Sequence, residues 1–508
     1  MPEYLTPGLY VSETPSFRRA ITGVATHILG MAGETERGPE VVRAVTSYAG
    51  FQRLYGDPVA DRFLSFAVRG FFENGGQKCF VARVANRRAG TATVTAGALR
   101  ISAIGPGAAG ENTWLWITDA ASGHTDRFRL VIAYYPDGVG DLGPLEPTIE
   151  SNRSIPGFVK PAVVEEYDEL VCTASNAGDA LMPLAGSNLV RAEWTQAPAR
   201  PANTGPVQLS GADPGDPVDL DDYLGRDVDI PGSTDRATTG LSGLAKIDEI
   251  ALLALPDEHL VAGLRQHAIK QCVSLGDRFG IFSVARDSRD AGSINEPHPP
   301  SSMGAVYWPW IRVTDPLTRA LVTAPPVGHV AGIFAKTDIT RGVHKAPANE
   351  VVSGAMDLEL QVTPADQDIL NPRGVNVIRD FRASNRGIRL WGARTMSSDP
   401  EWKYINVRRF FLYLEESVGK GTRWAVFEPN AEPLWGSIRN AIENFLMTSW
   451  REGALQGAKP EQAFFVKCDR TTMTQDDIDN GRLICEIGIA PVKPAEFIIF
   501  RIFQSTAK

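Results

Sequence analysis

The sequence predicts a multidomain protein of mixed α/β and α+β class, with an inserted, mostly β segment and an extended strand arm at each end. Three observations point there. Apolar runs of strand length alternate with amphipathic helical spacing on both sides of a long insertion. The insertion itself is rich in Gly, Pro, Asp, Ser and Thr and holds only short strands. Both ends carry strand patterns framed by proline. A chain of 508 residues has room for roughly three domains. Its 43% hydrophobic and 22% charged content allows large cores.

Residues 1–20 read as an arm in which Pro2 and Pro7-Gly8 frame Leu9-Tyr10-Val11-Ser12-Glu13, with Pro15 behind. Residues 21–90 read as the first part of an α/β region. Here 25–33 is strand-like, and Thr46 or Ser47 can cap a short helix carrying Phe51, Leu54 and Tyr55 that Gly56-Asp57-Pro58 closes. Leu64, Ala67, Val68, Phe71 and Phe72 keep helical spacing up to Asn74-Gly75-Gly76, and 79–84 is the next strand. Residues 91–238 form the β-rich insertion, with strands at 113–118 and 128–135. The α/β pattern returns over 239–374. Buried strands at 250–256, 280–285 and 305–312 alternate with a helix through Leu264, Ala268 and Cys272 and another beginning near Gly328. Apolar strands joined by helical crossovers predict a mainly parallel sheet.

Residues 375–490 read as a compact α+β segment. It opens on a hairpin pair at 375–379 and 388–392. Val407, Phe410, Phe411, Leu414 and Val418 mark one helix, capped near Asn406. Trp435, Ile438, Ile442, Phe445, Leu446 and Trp450 mark a longer one, with Pro433 in its first turn. Strands at 464–468 and 483–489 flank a short helix between Thr474 and Asn480-Gly481. Residues 491–508 return to an arm, where six of the ten residues 495–504 are Phe or Ile. There Phe497, Ile499 and Phe503 alternate with Ile498, Phe500 and Ile502, so both faces are apolar. Such a strand either docks on its own domain or recruits another copy of the chain.

The bulk numbers exclude several classes. A net charge of −9 argues against a general nucleic-acid binder. Cys79, Cys172, Cys272, Cys468 and Cys485 include no CxxC pair, so neither a disulfide framework nor a zinc ribbon is expected. Residues 1–8 lack the basic and apolar regions of a secretory signal. No apolar run reaches the length of a membrane span.

Motifs for catalysis and cofactor binding fail on context. Gly105-Pro-Gly107-Ala-Ala-Gly110 matches GxGxxG, but a strand follows where a dinucleotide loop needs a helix. Gly419-Lys420-Gly421-Thr422 lacks the first glycine of a phosphate loop and reads as a helix end with a glycine stop. The seven histidines share no metal-ligand spacing. His329 is either an oriented base or a packed or capping residue. Ser302 is the nearest candidate nucleophile, yet no GxSxG elbow surrounds it and it leads into a strand. The carboxylate clusters Glu165-Glu166, Asp219 to Asp222, Glu415-Glu416 and Asp476-Asp477 read as solvated or interface charges. No catalytic, cofactor or metal residue is assigned, and the expectation is a non-enzyme.

A set of segments, taken in order, resembles the contractile tail sheath proteins of bacteriophages and phage-tail-like injection particles. They are Tyr4 to Glu13, Arg37-Gly-Pro39 with Val45-Thr-Ser47, Phe51 with Tyr55-Gly56, and Gly75-Gly76 with Cys79 to Arg83. Gly105-Pro-Gly107 with Gly110 and Asn112, Tyr307-Trp-Pro-Trp310 and Pro325-Pro-Val-Gly328 follow. Asn371 to Asn376, Trp391 to Thr395, Tyr404 to Arg409 and Phe427-Glu-Pro-Asn430 complete the series.

The resemblance implies a structural subunit of a sheath built from stacked hexameric rings around an inner tube, which contracts to drive that tube through a target envelope. It implies a middle domain similar to subtilisin in fold but without its catalytic set. It also implies arms that add strands to neighbouring subunits. On that reading Leu9, Tyr10, Val11 and Glu13, with Phe497, Ile498, Ile499, Phe500, Ile502 and Phe503, are interface residues. Arg439, Glu443 and Arg451, on the helix over 434–452, are candidate contacts to the tube. The implied partners are further copies of the chain, an inner tube protein, and baseplate and terminator proteins, with neither nucleic acid nor direct membrane insertion. Assembly is expected in the cytoplasm, and the product in a virion or injection particle. The alternatives are a non-contractile baseplate or tail protein and a serine hydrolase of subtilisin-like fold.

Overall fold

The computed structural model describes residues 20–139, 143–172, 179–229, 236–288 and 290–497. The chain divides into two compact units, Ala25–Arg409 with Glu496 onward, and Phe410–Ala495 with the stretch that ends at Val24.

The larger unit is built on a nine-stranded sheet. Its order is Glu350–Val351, Ile388–Trp391, Val375–Asp380, Gly304–Trp308, Phe279–Ser283, Leu252–Ala254, Leu29–Gly33, Cys79–Arg83 and Arg43–Val45. Every pairing from Val375–Asp380 across to Cys79–Arg83 is parallel, and antiparallel strands close the edges. Parallel strands need helical cover on both faces, which is why Leu29–Gly33, Phe279–Ser283 and Gly304–Trp308 are buried along their whole length. On one face Leu264, Ala268 and Cys272 of helix Leu264–Leu275 and Leu370 of helix Pro364–Leu370 pack against Leu253, Val306 and Val377. Helices Leu64–Glu73 and Val327–Arg341 pack on each other and cover the other face.

Those two helices meet through glycine. A Cβ at Gly332 would lie 2.4 Å from the carbonyl oxygen of Phe71, and one at Gly328 would lie 2.2 Å from that of Ala67. Backbone cannot yield as a side chain can, so Gly332→Ala must push the helices apart. We expect a loss of about 1–3 kcal/mol, read as a lower urea midpoint with an unchanged slope. An unchanged midpoint would show that the helices separate freely.

The strand Leu29–Gly33 pairs with both Cys79–Arg83 and Leu252–Ala254. Everything between those two neighbours is therefore an excursion from the sheet. It holds a four-stranded antiparallel sheet (Thr204–Gln208, Thr113–Asp119, Arg127–Tyr134, Val163–Val171) and a three-stranded one (Thr93–Ala96, Leu99–Ala103, Val190–Trp194). Leu99, Ile101, Leu115, Phe128, Leu130 and Val190 share one core between them.

Several details differ from the sequence reading. The run 305–312 is two strands, Gly304–Trp308 in the large sheet and Ile311–Thr314 in a separate three-stranded sheet. Pro309 has no N–H to give to a ladder, so the first strand ends before it. The hairpin read with the 375–490 segment pairs through Val375–Val377 to Val306–Trp308 and so extends the large sheet. Asn406 lies inside helix Ile405–Thr422, where its side-chain amide donates to the carbonyl of His344 at 2.8 Å.

The smaller unit holds most of helix Ile405–Thr422, helix Glu432–Arg451 and the two-stranded antiparallel sheet Phe464–Lys467 and Glu486–Ile489. Pro433 starts the long helix, as its fixed φ favours. Thr474 caps the short helix Gln475–Asp479 in a reciprocal box with Asp477. The glycines at 419 and 421 do not stop their helix, which runs on to Thr422. Gly421 instead makes room for Ile21, whose side chain would stand 2.8 Å from a Cβ there.

Candidate assembly interface

In a parallel α/β sheet, chemistry collects beyond the carboxyl ends of the strands. Three acid–base residues, Asp257, Glu258 and His259, follow strand Leu252–Ala254 at that place. Asp257 is fully buried, accepts the Phe63 N–H at 2.9 Å ahead of helix Leu64–Glu73, and accepts the Tyr223 hydroxyl at 3.3 Å. Glu258 accepts the Ser283 N–H at 2.8 Å and the Arg265 Nε at 2.9 Å. The His259 ring stands edge-on to Trp310 at 4.6 Å, and burial lowers its imidazole to about 4. The two carboxyls are committed to architecture, while both ring nitrogens of His259 are buried without a hydrogen-bond partner among the described residues.

The Asp257 carboxyl has a measurable signature. Burial, the largest cause, pushes it from 3.8 up to about 7, partly offset by the Phe63 N–H. A carboxyl raised in the folded state holds its proton after the unfolded chain has lost it. Its contribution is thus full below the unfolded value and is lost as pH rises toward 7. Asp257→Asn keeps an acceptor for Phe63 and never ionises. It should stabilise the protein at pH 8 by up to about 4 kcal/mol and leave it unchanged below pH 4. Melting temperatures across pH 4–8.5 test this, and equal values at pH 8 would refute it.

The other polar candidates do not converge with them. His329 is buried in helix Val327–Arg341 against Gly70, and burial lowers it to about 4, so it is neutral and packed. Ser302 lies in the turn before Gly304–Trp308. Gly105–Gly107 is a bend held by Arg83, which donates to the carbonyls of Gly38 at 2.9 Å and Pro106 at 2.8 Å, and it leads into the short 3-10 helix Ala108–Asn112 ahead of strand Thr113–Asp119. Asp219 caps helix Leu220–Leu224, while Asp222 binds Asn86 and the Arg87 N–H. Glu166 pairs with Arg129, and Glu416 with Lys420. Among the described residues no three His, Cys, Asp or Glu side chains converge as a metal site. No described helix is long and apolar enough to cross a membrane.

The unsatisfied surface is in the smaller unit. Its sheet has two strands, and no third strand joins it among the described residues. Val466 and Ile487 share the face that meets helix Glu432–Arg451. Beside the strand Glu486–Ile489 runs a groove of about 610 Å³, lined by Val426, Phe427, Ile438, Ile442, Leu483 and Ile487. Phe427 is wholly exposed and holds φ +69°, a left-handed conformation unusual for a bulky residue. An open strand edge beside an apolar groove suits a further strand, with ladder hydrogen bonds on one side and side-chain pockets on the other.

Of the residues read as interface contacts, Phe497 is described and is exposed at 72%. Just before it, Glu496 forms a paired contact with Arg394 at 2.8 and 2.7 Å and accepts Asn371 Nδ2 at 3.0 Å. Leu9, Tyr10, Val11, Glu13, Ile498, Ile499, Phe500, Ile502 and Phe503 lie outside the described residues. Arg439 and Glu443 are half-buried near Cys485, whereas Arg451 is exposed in the last turn of its helix. The groove residues escape sequence reasoning because they come from separate segments with no common period. The helical spacing of Ile438 and Ile442 and the strand pattern at 483–489 each reach part of the lining, but neither joins the parts.

The larger unit is thus a parallel α/β body, and the smaller one carries a two-stranded sheet that no third strand joins among the described residues. The comparisons give the chain a family. Residues 249–396 match the phage tail sheath protein central domain and 397–505 the phage tail sheath C-terminal domain, together just over half of the chain. The chain belongs to the phage tail sheath family. It is 27% identical over 201 residues to a prophage major tail sheath protein of Pseudomonas aeruginosa, covering 38% of this chain and 49% of that one. It is 27% identical over 204 residues to the tail sheath protein of Escherichia phage P2, covering 39% and 48%. The match thus spans about half the length of these curated relatives. Its fold follows the cryo-EM structure of the anti-feeding prophage helical sheath in the contracted state, at TM-score 0.58 and 26% identity over 99% of this chain and 100% of that one.

Proposed function

We propose that the chain is a non-catalytic subunit that polymerises as stacked hexameric rings around an inner tube and contracts to drive that tube through a target envelope. Its middle α/β domain is then a subtilisin-like scaffold without the catalytic set, and no cofactor is involved. The observation that carries the reading is the open two-stranded sheet with its apolar groove, placed in the part of the chain that matches the sheath C-terminal domain. The occupant is a strand from another copy, either 9–13 or 495–504. Its alternating apolar side chains fill the groove while its backbone completes the ladder.

A strand given by one copy to the next makes a heterologous contact that does not close on itself, hence a filament. The same tether keeps neighbours joined while their bodies shift, which contraction between two packings requires. That the solved relative is a helical sheath in the contracted state supports this reading. The other partners are the inner tube, approached by Arg439, Glu443 and Arg451, and baseplate and terminator proteins.

Negative-stain microscopy of concentrated protein tests the proposal, with helical tubes as the expected result. Deleting residues 1–20, or 495–508, should leave folded monomers that form no tubes. Tubes of normal length from both deletions would overturn the strand assignment. Reversing charge at Arg439 and Arg451 should release bare inner tube, and co-purification of tube and sheath would remove those residues from the interface.

A further inference from the structure

Two thiols of the smaller unit stand opposite one another across its sheet. The antiparallel register runs from Phe464 with Ile489 to Lys467 with Glu486. Carried one residue further, it sets Cys468 opposite Cys485. Directly opposed residues of such a pair have Cα atoms about 4.5–5.5 Å apart, inside the span of about 4.4–6.8 Å that a disulfide bridges. The two thiols share an apolar cluster with Trp435, Met473 and Leu483. Cys468 is buried, whereas Cys485 is partly open and lines the groove. An incoming oxidant therefore meets Cys485 first, with Cys468 behind it to resolve the product.

We propose that Cys468 and Cys485 form a reversible dithiol–disulfide pair that locks together the two strands of the open sheet. The chemistry needs a small disulfide such as oxidised glutathione. The Cys485 thiolate attacks one of its sulfurs, releasing one glutathione thiolate and leaving a mixed disulfide. The Cys468 thiolate then attacks the Cys485 sulfur and expels the second glutathione. The protein loses two electrons and two protons, and the small disulfide is reduced to two thiols. The lock fastens the strand that borders the groove, next to Ile487, so it fixes the edge of the docking surface. The pairing itself does not depend on the assembly reading. The long sequence gap between the two cysteines, with helix Gln475–Asp479 in it, hides the pair from any short motif.

Burial holds both thiols above their usual range, Cys485 at about 12, so thiolate is scarce at neutral pH and the first step is slow. Its rate should rise about tenfold per pH unit between pH 7 and 9.

The test incubates the full-length protein with oxidised glutathione at pH 8, blocks remaining thiols and maps peptides without reduction. The expected result is an intramolecular peptide joined through Cys468 and Cys485, lighter by two hydrogens, with two fewer titratable thiols and full reversal by dithiothreitol. Cys468→Ser should instead stop at a glutathione adduct on Cys485. A wild-type protein that carries only that adduct, or whose cysteines pair between chains, overturns the proposal. So does a protein whose five thiols all remain titratable.

Discussion

Arg409→Ala is expected to cost the larger unit about 3–5 kcal/mol and to be the most destabilising single change among its charged residues. The guanidinium meets Asp338 in two parallel bonds, Nη1 to Oδ1 at 2.9 Å and Nη2 to Oδ2 at 2.6 Å. Its Nη2 also donates to the carbonyl of Thr26 at 2.9 Å, and Thr26 returns its hydroxyl to Asp338 at 2.7 Å. Both charged side chains are almost wholly buried, 3% and 1% exposed. The cation also lies over the ring of Phe334, 5.0 Å from its centre.

Removing the arginine alone strands a carboxylate where water does not reach, and that desolvation dominates the loss. The double change Arg409→Met with Asp338→Leu should therefore cost less than Arg409→Ala. Urea unfolding of the single and double variants at pH 7.5 separates these outcomes. A loss below about 1 kcal/mol would show that water reaches the pair and that it behaves as a surface ion pair.

That pair also shows what sequence reasoning reaches. Signals confined to a few neighbouring residues were legible. Ser47 accepts the Gly50 N–H at the start of helix Tyr48–Tyr55, and Gly56 with φ +86° ends it. Continuous apolar runs located the buried parallel strands, because a strand covered on both faces has no polar side to show. The glycines at 105–110 lead through the short 3-10 helix Ala108–Asn112 into strand Thr113–Asp119, so no α-helix N-terminus follows them to receive a dinucleotide.

Signals that depend on which distant partner a residue meets were not legible. Arg409 and Asp338 are 71 positions apart, and each looks like an ordinary charged residue of its own helix. The break at Pro309 was masked by apolar residues on both sides, Trp308 and Trp310, that look alike in sequence although Trp308 ends a strand of the large sheet and Trp310 lies in the link to the next strand. The groove gathers Val426 and Phe427 from a connection, Ile438 and Ile442 from a helix, and Leu483 and Ile487 from the stretch leading into a strand and from that strand. No period links those positions. The apolar patterns at 9–13 and 495–504 are local, which is why they can be proposed as donors. The groove proposed to receive them is assembled only in three dimensions.

Ile487→Glu then tests receiver and function together. Ile487 is 40% exposed, lines the groove, and stands opposite Val466 in the sheet. In the isolated subunit a glutamate there can reach water, so the fold should lose no more than about 1 kcal/mol. With a donated strand in the groove, the carboxylate is covered by apolar side chains and has no cation assigned to it. Burying it unpaired should cost roughly 3 kcal/mol, about a hundredfold in affinity for each contact. Every contact along a filament bears that cost, so tubes should be absent at concentrations where the wild type assembles fully. Ile487→Gln, polar but uncharged, should be intermediate. Lowering the pH toward 4.5 should restore part of the assembly of the glutamate variant but not alter the glutamine one, since only glutamate gains a proton. Sedimentation and microscopy of the three proteins give the result. A folded glutamate variant that forms tubes at the wild-type concentration would remove the groove as the seat of the donated strand. It would leave the deletions of 1–20 and 495–508 to decide independently whether those strands link the copies at all.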